Sequence, residues 1–285
     1  MTVLTWLPSF LPGISNLRGL LEGGQKWVFS ATHSTDGEVV VKLIKPHTAD
    51  ERVQREILAV KEINSLRVPR IFEDGVLRGT PAGVDLIWLR EQRIVGENVR
   101  QILQRGPLPQ NEIVALCSHV LEALVDVEQA RIVHRDIKPE NIIRGADGSY
   151  WLIDFGIARH LDLSSLTATA ALGGPGTLGY APPEQYRNQK RDLDSRADLF
   201  ALAVTLAECI SGKHPYIEGA RDAPMVCKRI EGAPLPIPKI PWDRERKFTD
   251  FLTAMGQRRV DCRPRDASDA RTWMQEIQNA FAGRP

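Results

Sequence analysis

The apolar and polar positions of the chain divide it into a first part with the alternation of strands and a second part with the longer period of helices. The run EVVVKLIK at 38–45 is rich in β-branched residues and follows an Asp-Gly turn signal, which predicts a strand. Alternation along this strand places Lys42 on one face together with apolar residues. An ammonium among apolar neighbours needs an anion close by.

The segment 50–66 has helical periodicity, with Ile57 and Val60 in an apolar stripe. At about 100° per residue, Glu56 falls inside the same stripe. A carboxylate on an apolar face also needs a partner, so we predict that Lys42 and Glu56 pair with each other. An ordinary exposed ion pair is the alternative.

The rest of the chain becomes mainly helical after residue 95. The run 198–210 is apolar nearly all round, which is typical of a helix at the centre of a domain, whereas 111–129 is amphipathic. The predicted elements are strands at 70–73 and 84–89, helices at 111–129, 198–210 and 267–281, and a Pro-rich loop at 233–242.

Composition narrows the class of protein further. The 285 residues are 42% hydrophobic and 26% charged, as in an ordinary globular protein with a sizeable core. Lys+Arg 37 against Asp+Glu 36 leaves a formal net charge of +1, so nucleic acid and anionic membranes are not indicated as partners. The four cysteines have no CxxC pair or metal-ligand spacing, which favours reduced thiols and a cytoplasmic location. They are Cys117, Cys209, Cys227 and Cys262.

The first 16 residues are apolar and carry no charged side chain before Arg18. They lack a positive leading region, are interrupted by Pro8 and Pro12, and are too short to span a bilayer. We therefore expect this segment to pack on the first part of the fold. Membrane contact or docking to a partner is the alternative.

Two polar segments carry the candidate chemistry. In IVHRDIKPENII at 132–143, apolar pairs flank a polar loop, as expected for a loop that presents side chains into a cleft. Asp136 could accept a proton, Lys138 is a nearby cation, and Asn141 can bind a hard metal ion. In WLIDFGIAR at 151–159, Asp154 ends a short apolar strand, and its carboxylate with the Asn141 amide would suit Mg²⁺.

HRDIKPEN followed by DFG resembles the protein-kinase family, and its wording is most similar to bacterial serine/threonine kinases of the eukaryotic type. The resemblance extends over the chain from about residue 15. It implies an α+β, bilobal fold with ATP between the lobes and a single kinase domain at 1–285. Residues 1–93 would form a small β-rich lobe with helix C and the apolar N-terminal segment, and 94–285 a larger helical lobe.

The resemblance also implies a role for each matching residue. Lys42, held by Glu56, would contact the α- and β-phosphates of ATP, and Asp154 with Asn141 would hold Mg²⁺, for which Mn²⁺ is an alternative. Asp136 would accept the proton of the attacking hydroxyl. Lys138 would stabilise charge on the moving phosphoryl group and matches the serine/threonine pattern.

Other matches imply structural and regulatory roles. Glu184 in APPE would form a buried salt bridge with Arg263, Asp198 would cap a backbone turn, and Thr177 would lie near the catalytic aspartate. Thr167 and Thr169 match threonines that such kinases autophosphorylate. We expect a phosphate on Thr167 or Thr169 to order the activation loop, the segment from Asp154 to Glu184, against Arg135. The residues with these implied structural and regulatory roles are Thr167, Thr169, Thr177, Glu184, Asp198 and Arg263.

The glycine-rich loop departs from the family pattern. Aligning Val28 with the family's valine places Leu21, Gly23 and Lys26 at the three glycine positions, with Gly24 adjacent. Because glycines let backbone amides approach phosphates, we expect Gly23, Gly24 and Val28 to bind ATP in a modified way. Lys26 either compensates electrostatically or points to solvent.

The predicted function is phosphoryl transfer from ATP to serine or threonine hydroxyls of a protein substrate, with autophosphorylation of the activation loop. A pseudokinase that binds or scaffolds is the alternative, motivated by the altered glycine loop. A small-molecule kinase of the aminoglycoside phosphotransferase kind is disfavoured, since those resemble HGD rather than HRDxKxxN. A homodimer or a regulatory partner is left open.

Overall fold

The structure is a computed structural model that describes residues 2–22, 26–45, 50–155, 179–187 and 193–282. The described residues form two compact units. The first contains the chain up to Ser65 together with Pro69–Ile94, and the second contains Leu66–Val68 together with the described chain from Val95 onward.

The first unit is built on a five-stranded antiparallel sheet with the strand order β1-β2-β3-β5-β4. The strands are β1 Ile14–Glu22, β2 Lys26–His33, β3 Gly37–Ile44, β4 Ile71–Leu77 and β5 Leu86–Gln92. The strand predicted at 38–45 is confirmed as β3, and the runs predicted at 70–73 and 84–89 overlap β4 and β5, which begin at Ile71 and Leu86.

One face of this sheet is covered by the N-terminal segment, which forms helix α1, Val3–Phe10. Trp6 and Leu7 are buried in one apolar cluster with residues of β2, β3, β4 and β5. The segment therefore packs on the first part of the fold, as expected. Its helical form was not predicted, because Pro8 argues against a helix interior and yet lies inside α1.

Helix α2, Asp50–Lys61, is the second helix of this unit and packs on β4. The predicted helix extended to residue 66, which is wrong by five residues. Asn64 and Ser65 follow the helix, and such side chains compete for backbone hydrogen bonds in non-helical conformations. The prediction also ended β5 too early, at Leu89, because charged residues follow.

The second unit is mainly helical and includes a small sheet of β6 Gly96–Asn98, β7 Ile142–Gly145 and β8 Tyr150–Leu152. Its helices are α3 Val99–Leu103, α4 Gln110–Gln129, α5 Pro183–Tyr186, α6 Arg196–Ser211, α7 Ala223–Gly232, α8 Lys247–Met255 and α9 Ala267–Ala282. Helix α6 is buried along nearly its whole length and contacts α4, α8 and α9, so the predicted central helix is confirmed.

Within the described residues, no helix combines the length and apolarity needed to cross a bilayer. The four cysteines are free thiols, and Cys117 and Cys209 are buried.

Candidate active site

Asp198, a buried acid of α6, holds the backbone of the loop between α4 and β7. Asp198 is 1% exposed, and its two carboxylate oxygens accept hydrogen bonds from the backbone N–H groups of His134 at 2.7 Å and Arg135 at 2.8 Å. Burial raises the pKa of Asp198 to about 7, while both N–H donors act to lower it. Arg135 has a left-handed backbone with φ of 65°. Such conformations are rare outside glycine and cluster at functional sites.

Asp136 lies at the centre of this loop, in contact with the other two polar residues singled out there. Its Oδ2 accepts a hydrogen bond from Asn141 Nδ2 at 2.9 Å and lies 3.1 Å from Lys138 Nζ. Asn141 Nδ2 also donates to the Asp136 backbone carbonyl at 2.8 Å. Both contacts use the amide nitrogen of Asn141, and the oxygen of the same amide is an acceptor of the kind that hard cations prefer.

The β7–β8 hairpin brings Asp154 beside this loop. The N–H of Ile153 donates to the carbonyl of Asn141 at 2.9 Å, so the next residue, Asp154, follows directly at the same place. Asp154 has φ of 62°, a second left-handed position at the site. The Phe155 ring packs on the His134 ring with centroids 4.6 Å apart.

The donor set of Asn141 and Asp154 fits a magnesium ion. Mg²⁺ prefers carboxylate and carbonyl oxygens and commonly takes only one or two protein ligands alongside substrate phosphates. Across the part of the chain that the structure describes, no group of three or more His, Cys, Asp or Glu side chains is arranged to hold a metal ion. A two-ligand oxygen site of this kind remains consistent with that finding.

Lys42 lies on β3 in the sheet of the first unit and is 8% exposed. Its cross-strand neighbours are Val28 on β2 and Leu89 on β5. Lys42 Nζ lies 2.6 Å from Glu91 Oε1. Pairing of Lys42 with Glu56 stays a prediction. Glu91 was not predicted as a site residue, although it lies two positions after Leu89 and therefore on the same face of the strand.

A buried ion pair connects α5 with the loop that precedes α9. Arg263 Nη1 lies 2.6 Å from Glu184 Oε1, and Nη2 donates to Oε2 at 3.0 Å. The Arg263 side chain is 0% exposed. This two-pronged geometry is the strongest form of arginine–carboxylate contact, and it joins the residues that the resemblance paired.

A second network around Arg100 was not predicted. Arg100 of α3 donates to Glu140 at 2.9 Å and to Glu208 of α6 at 2.7 Å, and also to the Tyr180 hydroxyl. It thereby ties the residue preceding Asn141 to the segment before α5. The acidic partners lie 40 and 108 positions away along the chain, so no sequence pattern indicates the contact.

Five residues of the predicted sites lie outside the described residues. They are Gly23 and Gly24 of the altered glycine loop and Thr167, Thr169 and Thr177 of the segment after Asp154.

A family model described as protein kinase domain matches residues 16–277. The probable serine/threonine-protein kinase PkwA of Thermomonospora curvata is 31% identical over 86% of this chain and 32% of its own length. PknD of Mycobacterium tuberculosis, a serine/threonine-protein kinase, is 32% identical over 77% of this chain and 33% of its own length.

The probable serine/threonine-protein kinase PknB of Bifidobacterium longum is 32% identical over 74% of this chain and 32% of its own length. The chain thus spans about a third of the length of the curated relatives it matches.

Proposed function

The chain belongs to the protein kinase family and has its α+β, two-lobed fold, and we propose that it transfers the γ-phosphoryl group of ATP to serine or threonine hydroxyls of proteins. The observation that carries the proposal is the contact of Asp136 with both Lys138 and Asn141. A carboxylate, a cation and a metal-binding amide in one loop are the groups that phosphoryl transfer needs for positioning and charge neutralisation.

Each residue has a defined task in this proposal. Asp136 orients the acceptor hydroxyl and takes its proton, and Lys138 stabilises negative charge on the transferred group. Lys42 binds the α- and β-phosphates, and Asn141 and Asp154 hold Mg²⁺ or Mn²⁺. The bound metal ion supplies charge neutralisation at the phosphates.

The remaining assignments rest on the family resemblance. Gly23, Gly24 and Val28 contribute to the nucleotide site. Thr167 and Thr169 are the proposed sites of autophosphorylation. We propose that 1–285 is one kinase domain whose substrates are proteins. We also propose a cytoplasmic location, because free thiols persist in reducing compartments.

Transfer of radiolabel from γ-labelled ATP tests this function directly. We expect incorporation into a general protein substrate and into the chain itself, with the label on Thr167 or Thr169 by mass spectrometry. Asp136→Asn should reduce the rate about 100-fold or more, since it removes the proton acceptor. Asp250→Asn, the same change in an exposed ion pair of α8, should transfer at the normal rate. Equal rates for Asp136→Asn and the unmodified protein would contradict the proposal.

The pseudokinase alternative has no support in the comparisons, whose relatives are named as serine/threonine kinases. The same assay separates the two functions. Nucleotide binding without any transfer by the unmodified protein would favour the pseudokinase.

A further inference from the structure

The strand pair β3–β5 contains an ion pair between Lys42 and Glu91, an acid to which no role has been assigned so far. Lys42 and Glu91 are 8% and 9% exposed, and their charged atoms are 2.6 Å apart. Both charges are therefore largely removed from water. A pair in such surroundings is screened far less than one at the surface, so each charge strongly constrains the other.

The register of the sheet explains why these two side chains meet. Lys42 is directly opposite Leu89, and Val40 is directly opposite Glu91. Glu91 is thus the diagonal neighbour of Lys42 on the same face, within reach of a long side chain. Val28 on β2 lies on the other side of Lys42. The two side chains therefore start from neighbouring positions of one sheet, and its backbone hydrogen bonds fix the separation of those positions.

We propose that Glu91 is a positioning residue for Lys42, holding its ammonium in the orientation in which it binds the phosphates of ATP. This rests on the proposed function. An ammonium has three donors, so a hydrogen bond to Glu91 leaves others for phosphate oxygens. Because the two residues belong to adjacent strands of one sheet, the separation of their backbone positions does not depend on helix α2. Orientation of Lys42 is then built into the sheet.

A double-mutant cycle on nucleotide binding tests this role without requiring catalysis. Binding of the Mg²⁺ complex of the β,γ-imido analogue of ATP is measured by calorimetry for the unmodified chain and three variants. These are Glu91→Gln, Lys42→Met and the double substitution. Loss of a charge-assisted contact predicts about 10- to 100-fold weaker binding for Glu91→Gln. In the Lys42→Met background the same change should alter binding by less than about 2-fold.

Two further variants separate positioning from a general effect on folding. Glu91→Asp keeps the charge on a shorter side chain, and should bind the analogue more tightly than Glu91→Gln but less tightly than the unmodified chain. It also serves as the test variant if Glu91→Gln does not fold. Glu38→Gln is the control and removes an acid of β3, the strand that carries Lys42. Glu38 pairs with Arg93 at the exposed end of the sheet, so this variant should bind the analogue normally.

Three results would overturn the proposal. Unchanged or tighter binding by Glu91→Gln means that the carboxylate does not position Lys42 for phosphate. An equal loss in both backgrounds means that Glu91 acts on the structure and not through Lys42. Normal binding by Lys42→Met would overturn both this inference and the phosphate-binding role of Lys42, whereas a loss confined to Lys42→Met overturns this inference alone.

Discussion

Leu7→Ala tests the role of helix α1 in the first unit. Leu7 is 0% exposed and belongs to the apolar cluster between α1 and the sheet, whereas Leu4 of the same helix is 44% exposed. Truncation of a fully buried leucine costs about 2–5 kcal/mol, because the transfer free energy is lost and a cavity remains. For a chain of this size, that loss corresponds to a fall in Tm of roughly 5–12 °C.

The assay is thermal unfolding followed by tryptophan fluorescence, since Trp6 and Trp88 both belong to the cluster that would be disturbed. Leu4→Ala is the matched control, with the same substitution on the exposed side of the same helix. It should cost about 1 kcal/mol or less. Equal Tm values for Leu7→Ala and Leu4→Ala would refute the conclusion that α1 is part of the core.

Two further predictions concern the second unit. Burial, with Arg100 nearby, lowers the pKa of His214 to about 4. As the pH falls from 6.5 towards 4, His214 is therefore protonated in the unfolded state before it is protonated in the folded state. Up to about 3 kcal/mol of stability is lost across that window. In His214→Asn this loss should disappear from the pH dependence of Tm, and an unaltered profile would contradict it. Glu184→Gln leaves Arg263 buried without its counter-charge and should lower the free energy of unfolding by about 3–5 kcal/mol in urea denaturation. Glu231→Gln, in an exposed pair, should cost less than about 1 kcal/mol; equal losses in the two variants would refute the argument.

The parts of the fold that the sequence predicted are those in which one pattern determines the environment. Helix α6 is apolar nearly all round and is buried along nearly its whole length. Strand β5 continues beyond its predicted end because Arg90 and Glu91 are buried there in ion pairs, with Arg90 against Glu73 and Glu91 against Lys42. From the sequence pattern alone, two consecutive charged residues indicate the end of a strand. Their ion-pair partners, which come from other strands, allow Arg90 and Glu91 to be buried inside β5.

The contacts of the candidate site also include some that the sequence pattern predicts and some that it does not. The residues of the loop at 132–141 contact each other because they are close in sequence, so their spacing carried the prediction. The face of Lys42 was also predictable from alternation. Its contact with Glu91 was not, because it depends on β5 being the strand beside β3, and strand order is not contained in the period of either strand. The Arg100 network likewise depends on how distant segments fold together.

A crystal structure of the chain with Mn²⁺ and the β,γ-imido analogue of ATP tests the proposed nucleotide and metal site most directly. We expect an anomalous peak for the metal at Asp154 and Asn141, with Lys42 Nζ within hydrogen-bonding distance of the α- or β-phosphate. A bound nucleotide whose metal lies away from Asp154 and Asn141, or whose phosphates do not contact Lys42, would contradict this expectation.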